Sequence, residues 1–223
     1  MLSIVIPTLN EAARIGSRLG ELQAAEIAGE IIVADGGSAD ATVDMAAEMG
    51  ARTVVGPPGR GAQLAAGAEL ARGNWLMFLH ADTHPGPGWA TVVKRFMAEP
   101  ANRFRAGYFR YALDDPAPAA RRLEKLVHWR CRFLGLPYGD QGLLINTDYY
   151  ERLGGFPAIP LMEDVALVRR IPRHRLQELP AIAVTSADKY RREGYLMRPA
   201  RNVLCLSLYF LGFPPGYLKT LYR

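Results

Sequence analysis

A chain of 223 residues, 49% hydrophobic and 22% charged, is long enough for one full core and too short for two comfortable domains, and its composition excludes disorder as the default. The formal charge of +5 and sequence pI near 9.4 favour an anionic partner without separating nucleic acid, a phosphate-bearing substrate and a membrane surface. Two cysteines, Cys131 and Cys205, make neither a disulfide framework nor a zinc spacing and suit a reducing, cytoplasmic interior.

The chain opens on Leu2-Ser3-Ile4-Val5-Ile6-Pro7, a strand-like run with no basic segment leading an apolar stretch, so no secretory signal is expected. Short apolar runs at 3–8, 30–34, 53–55 and 76–79 then alternate with helical patterns at about 11–25, 39–49 and 61–71. That order calls for parallel strands joined by crossover helices and predicts one doubly wound α/β sheet. After Pro100 the rhythm changes. An aromatic-rich strand is expected over 104–113, a turn at Asp114-Asp115-Pro116-Ala117-Pro118, a basic helix over about 119–133, a strand over 139–145 and a short helix over 162–170. This half is expected to add mixed strands to the same sheet and to cover the site with loops and helices.

Near the end, Val203 to Phe213 is an apolar run of about eleven residues, well under the roughly 20 that span a bilayer. It reads as a helix completing the core or a homodimer contact. The alternative is peripheral contact with anionic lipid at the inner face of the membrane, which the flanking Arg198, Arg201, Lys219 and Arg223 would suit.

The stretch LMFLHADTHP, 76–85, ends an apolar strand in a carboxylate flanked by two histidines, and Pro85-Gly86-Pro87-Gly88 after it reads as loop. Its polar groups therefore sit at a strand exit, the edge where open α/β sheets bind ligands. Asp82 suits a divalent metal shared with substrate phosphates, and His80 or His84 would tilt the choice from magnesium towards manganese. A zinc hydrolase would need more ligands, and His128 and His174 have no obvious ligand spacing.

VADGGSAD, 33–40, sets Asp35 at the end of the second strand, where a carboxylate accepts hydrogen bonds from a base or ribose; a plain strand-to-helix turn capped by Ser38 explains it equally. GPPGRGAQLAAG, 56–67, lacks the Gly-Lys-Ser/Thr ending of a phosphate loop, and what remains is Arg60 at the mouth of a helix. PLMEDVALVRR, 160–170, puts Glu163 and Asp164 in a first helical turn, where acidic residues are also ordinary dipole partners. YGDQG, 138–142, adds a polar turn entering an apolar strand.

Taken in order, IVIPTLNE, ADGGSAD, FLHADT, GDQG, LGGFP and MEDVALVRR resemble the family 2 glycosyltransferases, most nearly a bacterial subfamily named for arsenosugar biosynthesis, over about residues 2 to 195. The resemblance implies a single domain with a nucleotide-diphosphosugar transferase fold of type A, or GT-A-like. It divides into a nucleotide-sugar-binding half (about 1–100), an acceptor and catalytic half (about 101–195) and a C-terminal helical segment (about 196–223). It further implies a nucleotide-diphosphosugar donor, a small-molecule or lipid acceptor, manganese or magnesium, and inversion at the anomeric carbon.

Residue by residue, Pro7, Asn10 and Glu11 match the family's opening motif where the loop meets the nucleotide. Asp35 matches the carboxylate that reads the base, with Gly36 in place of the usual second aspartate. Asp82 matches the last carboxylate of the Asp-x-Asp metal motif, and His80 stands where the first normally is. Glu163-Asp164 matches the acidic pair that supplies the catalytic base, with Asp164 the favoured residue. Arg60, Arg169 and Arg191 are candidate diphosphate partners, against ordinary surface charge for each. One sugar per acceptor is expected, because the aromatic-rich signature of processive synthases is not evident. The rivals are a nucleotidyltransferase, which expects a glycine- and lysine-rich loop where PTLNEAARIG stands, and a nucleotide-binding relative that has lost catalysis. Nucleic-acid binding has no recognised motif behind it.

Overall fold

The computed structural model describes residues 1–222, so Arg223, counted among the C-terminal cations, lies outside the described residues. Strand β1 (Leu2–Thr8) leads to helix α1 (Ala12–Ala24), β2 (Glu30–Asp35) to α2 (Thr42–Glu48), β3 (Arg52–Val55) to α3 (Arg60–Leu70), and β4 (Trp75–Phe78) closes the set. These strands pair in parallel in the order β3-β2-β1-β4, as the alternating pattern predicts. The carboxyl ends of β1, β2 and β4 therefore open on one edge of the sheet.

Helices cover both faces, which is why β1 and β4 read as near-continuous apolar runs. On one face α1 lays Ile15, Leu19 and Leu22 against Ile4, Ile6 and Met77; on the other α3 lays Leu64 and Ala68 against Val5 and Ile32. Helix α3 approaches the sheet so closely that a Cβ at Gly67 would stand 2.4 Å from Val5 Cγ1.

The second half contributes β5 (Thr83–Pro85), α4 (Trp89–Ala98), β6 (Ala106–Leu113), α5 (Pro118–Trp129), β7 (Leu143–Asn146), α6 (Thr147–Arg152), α7 (Glu163–Val168), β8 (Leu176–Thr185), α8 (Asp188–Glu193), α9 (Met197–Phe210) and α10 (Pro215–Tyr222). Strand β7 runs antiparallel to β4 and β6, β8 parallel to β6, and β5 antiparallel to β8 at the sheet's edge. One mixed eight-stranded sheet results, of the α/β class expected.

Several boundaries depart from the sequence reading. Pro85 belongs to β5, where an edge position spares it a ladder hydrogen bond. Strand β8 escapes the pattern because Pro180 interrupts it; the β6–β8 register shifts between Phe109 and Arg110, a bulge that accommodates the proline. Residues 139–141 form a tight helical turn, and β7 starts only at Leu143. The basic helix gives way after Trp129 to a wider π-type turn at Arg130–Leu134, closed by Gly135 at φ 62°. The C-terminal apolar segment is a surface helix rather than a core one: α9 buries Arg198 and Cys205 and leaves Val203, Leu204 and Phe210 exposed. No helix among the described residues is long and apolar enough to cross a membrane.

Candidate active site

The exit loops of β1 and β2 are stapled together by Asp35. Its side chain is 1% exposed, and all four of its acceptor positions are used within the fold. Oδ1 accepts from the backbone N–H of Gly37 (2.8 Å) and Ser38 (2.7 Å), and Oδ2 from the hydroxyls of Thr8 (2.9 Å) and Ser38 (2.5 Å). Burial works against its charge, but these donors hold its carboxyl below the usual range. The Gly36-Gly37 backbone, with no side chain in the way, is what faces the cleft.

Asn10, at φ 56°, completes the staple: its N–H donates to Ser38 Oγ (2.7 Å) and its Oδ1 accepts from the Ala39 N–H (2.9 Å). Pro7 and Glu11 line the cleft wall beside it. Sequence reasoning missed Gln63, whose Nε2 donates to the carbonyls of Thr8 (2.6 Å) and Ala34 (2.9 Å) and fixes the cleft floor from α3.

Opposite the staple, the start of α7 meets the end of β4. Asp164 Oδ2 accepts from the Gly139 N–H (2.8 Å) and Oδ1 from the Val165 N–H (2.7 Å), so the carboxylate is held at a helix N-terminus. Glu163 is 2% exposed with Arg60 Nη1 3.6 Å away. Burial, and then the neighbouring Asp164, push its carboxyl up to about 7, with Arg60 opposing.

His80 points into the same space, its Nε2 buried and without a hydrogen-bond partner among the described residues. Burial and then the Arg60 charge drive its pKa down to about 3, so the ring is neutral near pH 7. Gly139 is needed beside it, since a Cβ there would lie 2.6 Å from that nitrogen. For Asp82, burial is outweighed by His80 when protonated, Lys189 and Arg60, and its carboxyl lies below its ordinary value.

These groups surround one cleft of about 690 Å³, within the range of small-molecule sites. It gathers Pro7, Glu11, Arg60, His80, Asp82, Glu163 and Asp164 from distant parts of the chain. It leaves out five candidates: Asn10 and Asp35 are spent on the staple behind its wall, and three others turn elsewhere. His84 turns to the opposite side, its Nδ1 3.0 Å from Glu21. Arg169 stacks on the Phe210 ring at 4.8 Å. Arg191 is engaged with Asp115 (3.1 Å) and Asp188 (3.0 Å). The positive charge that the latter two were expected to bring comes instead from Lys189 and Lys219, carried over the cleft by α8 and α10.

Asp140 also faces the cleft and was not among the sequence candidates; its only signal was the polar turn YGDQG. No three His, Cys, Asp or Glu side chains gather as a metal cage among the described residues. A zinc hydrolase, which needs at least three protein ligands, is therefore not supported. The orphaned His80 nitrogen beside the Asp82 carboxylate fits an ion that completes its shell with substrate phosphates.

Residues 3–150, from β1 into α6, match the family model described as glycosyl transferase family 2. The chain belongs to glycosyl transferase family 2. PGL/p-HBAD biosynthesis glycosyltransferases of Mycobacterium bovis (strain BCG / Pasteur 1173P2) and Mycobacterium tuberculosis (strain ATCC 25177 / H37Ra) are each 38% identical over 91 residues, which is 37% of this chain and 35% of the relative. The chain thus spans about a third of the length of these curated relatives, whose names do not carry the arsenosugar label.

Among solved structures, glucosyl-3-phosphoglycerate synthase from Mycobacterium tuberculosis superposes with a TM-score of 0.60 at 21% identity, over 83% of this chain and 70% of that one; it was crystallised with Mn2+, uridine diphosphate and glucosyl-3-phosphoglycerate. The same protein with Mg2+ and uridine diphosphate gives 0.60, 21%, 83% and 69%. This family 2 chain shares their fold, the GT-A-like architecture expected from its motifs.

Proposed function

We propose that the protein is an inverting glycosyltransferase that moves a sugar from a nucleotide-diphosphosugar to an acceptor hydroxyl. The observation that carries this reading is the pairing, across one cleft, of a backbone-held carboxylate, Asp164, with the neutral His80 and Asp82. Inverting transfer needs both sides: a base facing the attacking hydroxyl and charge stabilisation at the departing diphosphate. The acceptor oxygen forms its bond to the anomeric carbon as the bond to the diphosphate oxygen breaks. The hydroxyl proton passes to Asp164.

Glu163, buried behind Asp164, keeps Arg60 at the mouth of α3, where its guanidinium and the helix amides face the diphosphate. The Gly36-Gly37 backbone receives the nucleoside between Pro7, Glu11 and Gln63. His80 and Asp82 would hold a manganese or magnesium ion, which would supply positive charge for the departing diphosphate. Resident metals and nucleotides in the structural neighbours support this donor class, and the order of motifs supports the arsenosugar-named subfamily within the family.

The acceptor is a small molecule or a lipid. The exposed Val203, Leu204, Phe210 and Leu211 on and just after α9 favour the lipid, with the enzyme working at the inner face of a membrane; the same face is where a homodimer would form. A nucleotidyltransferase is disfavoured because the loop after β1 carries no lysine and no glycine run.

The test follows the anomeric proton by NMR as wild type and Asp164→Asn turn over uridine- and guanosine-diphosphosugars with acceptor mixtures. The reading expects a product of inverted configuration and a loss of at least about a hundredfold in rate for the variant. Retention of configuration, or an unimpaired variant, would refute it.

A further inference from the structure

Asp140 stands on the tight turn Gly139–Gln141 between the cleft and β7. The turn is fastened on both sides. The Asp140 carbonyl accepts from the hydroxyls of Thr83 (3.5 Å) and Thr185 (3.3 Å). Next to it, the buried Gln141 donates from Nε2 to the Phe109 carbonyl (3.1 Å) and accepts through Oε1 from Arg130 (3.0 Å) and Cys131 (3.1 Å). A turn held this firmly could place its carboxylate on a partner, yet Oδ1 is buried with none among the described residues.

Arg130 is the cation with the largest effect on Asp140, and it is committed elsewhere: its Nε donates to the Leu136 carbonyl (2.8 Å), an Nη to Gln141, and its plane lies 3.4 Å from the Tyr138 ring centre. The carboxyl, pushed up to about 6 mainly by burial, is thus left facing Asp164, Asp82 and Arg60. A second orphan lies on the same wall. Tyr111, 4% exposed, turns its hydroxyl to the cleft beside the Tyr190 side chain, makes no well-formed hydrogen bond there among the described residues, and feels the Asp140 charge.

Buried polar atoms are satisfied in nearly every native structure, so two orphans on one cleft wall mark where a ligand brings hydrogen bonds. The chemistry narrows the ligand. A phosphate would meet the repulsion of Asp82, Asp140 and Asp164 on this wall, and an apolar group would leave both orphans unmet. A neutral polyol satisfies both, with one hydroxyl donating to the Asp140 carboxylate and another exchanging hydrogen bonds with Tyr111. We infer that Asp140 and Tyr111 form the subsite that binds the hydroxyls of the transferred sugar and selects among donor sugars. This assignment rests on the glycosyltransferase reading.

Calorimetry with uridine and guanosine diphosphates and with their hexose conjugates, all with manganese, tests it on wild type, Asp140→Ala and Tyr111→Phe. For Asp140→Ala the expected result is diphosphate affinity within about twofold of wild type and sugar-conjugate affinity lower by about tenfold or more, the loss that follows a hydrogen bond to a charged group. Tyr111→Phe, which keeps the ring, is expected to lose several-fold on the conjugates alone. Thermal unfolding of ligand-free Asp140→Ala is expected at or above the wild-type temperature, because an unmet buried carboxyl is removed; a merely structural aspartate would give a lower one.

An unchanged ratio of conjugate to diphosphate affinity in both variants overturns the subsite. An equal loss on both ligands overturns it too, placing Asp140 on the metal or the diphosphate. Wild-type protein that binds neither nucleotide nor conjugate overturns the glycosyltransferase reading and the subsite with it.

Discussion

Glu163→Gln removes a carboxyl that the fold holds at a cost. Burial raises its pKa from an ordinary 4.5 to about 7, with Asp164 adding to the effect and Arg60 opposing it. The sign follows from linkage: a carboxyl whose folded pKa is raised binds its proton more tightly in the native state. Its penalty is therefore absent below about pH 4.5, grows between the two values and is complete above about 7. At about 1.4 kcal/mol per pH unit, that interval corresponds to roughly 3 kcal/mol. Glutamine is nearly isosteric and carries no charge, so the variant should gain about that much over wild type at pH 8 and only about 0.7 kcal/mol at pH 5. For a chain of this size the gain corresponds to roughly 6–12 °C in midpoint. The assay is thermal unfolding of ligand-free wild type and Glu163→Gln at half-unit steps from pH 5 to pH 8. Parallel curves, or a variant less stable at pH 8 than at pH 5 relative to wild type, would refute the assignment of a buried, raised carboxyl to this position. The same variant should lose transfer activity, since the Arg60 guanidinium loses its anionic partner 3.6 Å away.

Asp35→Asn puts an amide NH2 among four donors that now converge on two carboxylate oxygens, so the midpoint should fall, by about 3 kcal/mol in stability. Urea titration measures it, and a change under about 0.5 kcal/mol would show that the staple does not hold the two loops. Arg191→Ala should leave nucleotide affinity within about twofold of wild type, because its guanidinium is spent on Asp115 and Asp188 outside the cleft; a tenfold loss in calorimetry would restore it as a diphosphate partner.

The parallel half of the fold was legible because strands covered on both faces must be largely apolar, and the centres of β1 and β2 and all of β4 are. Strand β8 was not, because Gln177, Glu178 and Pro180 break any simple pattern, and only pairing with β6 through a bulge makes a strand of them. Within the site, Asp82, Arg60, Glu163 and Asp164 could be read since each stands at a strand exit or a helix start, positions where local sequence already points a side chain to the ligand edge. Arg191 and His84 misled because their partners lie far off in the chain: Asp115 is 76 residues from Arg191, and Glu21 is 63 from His84. Asp140 shows the converse. Its composition is that of any polar turn, and what distinguishes it, a buried oxygen without a partner among the described residues, exists only once β6 and β8 have packed against the turn.

The nucleotide-diphosphosugar site is tested most directly by calorimetric titration with uridine and guanosine diphosphates, with and without manganese or magnesium, on wild type and Asp82→Ala. Metal-dependent binding of one nucleotide that the substitution weakens at least about tenfold is the predicted result. Wild-type protein that binds neither nucleotide under any ion condition, or Asp82→Ala that binds as tightly as wild type, would contradict it.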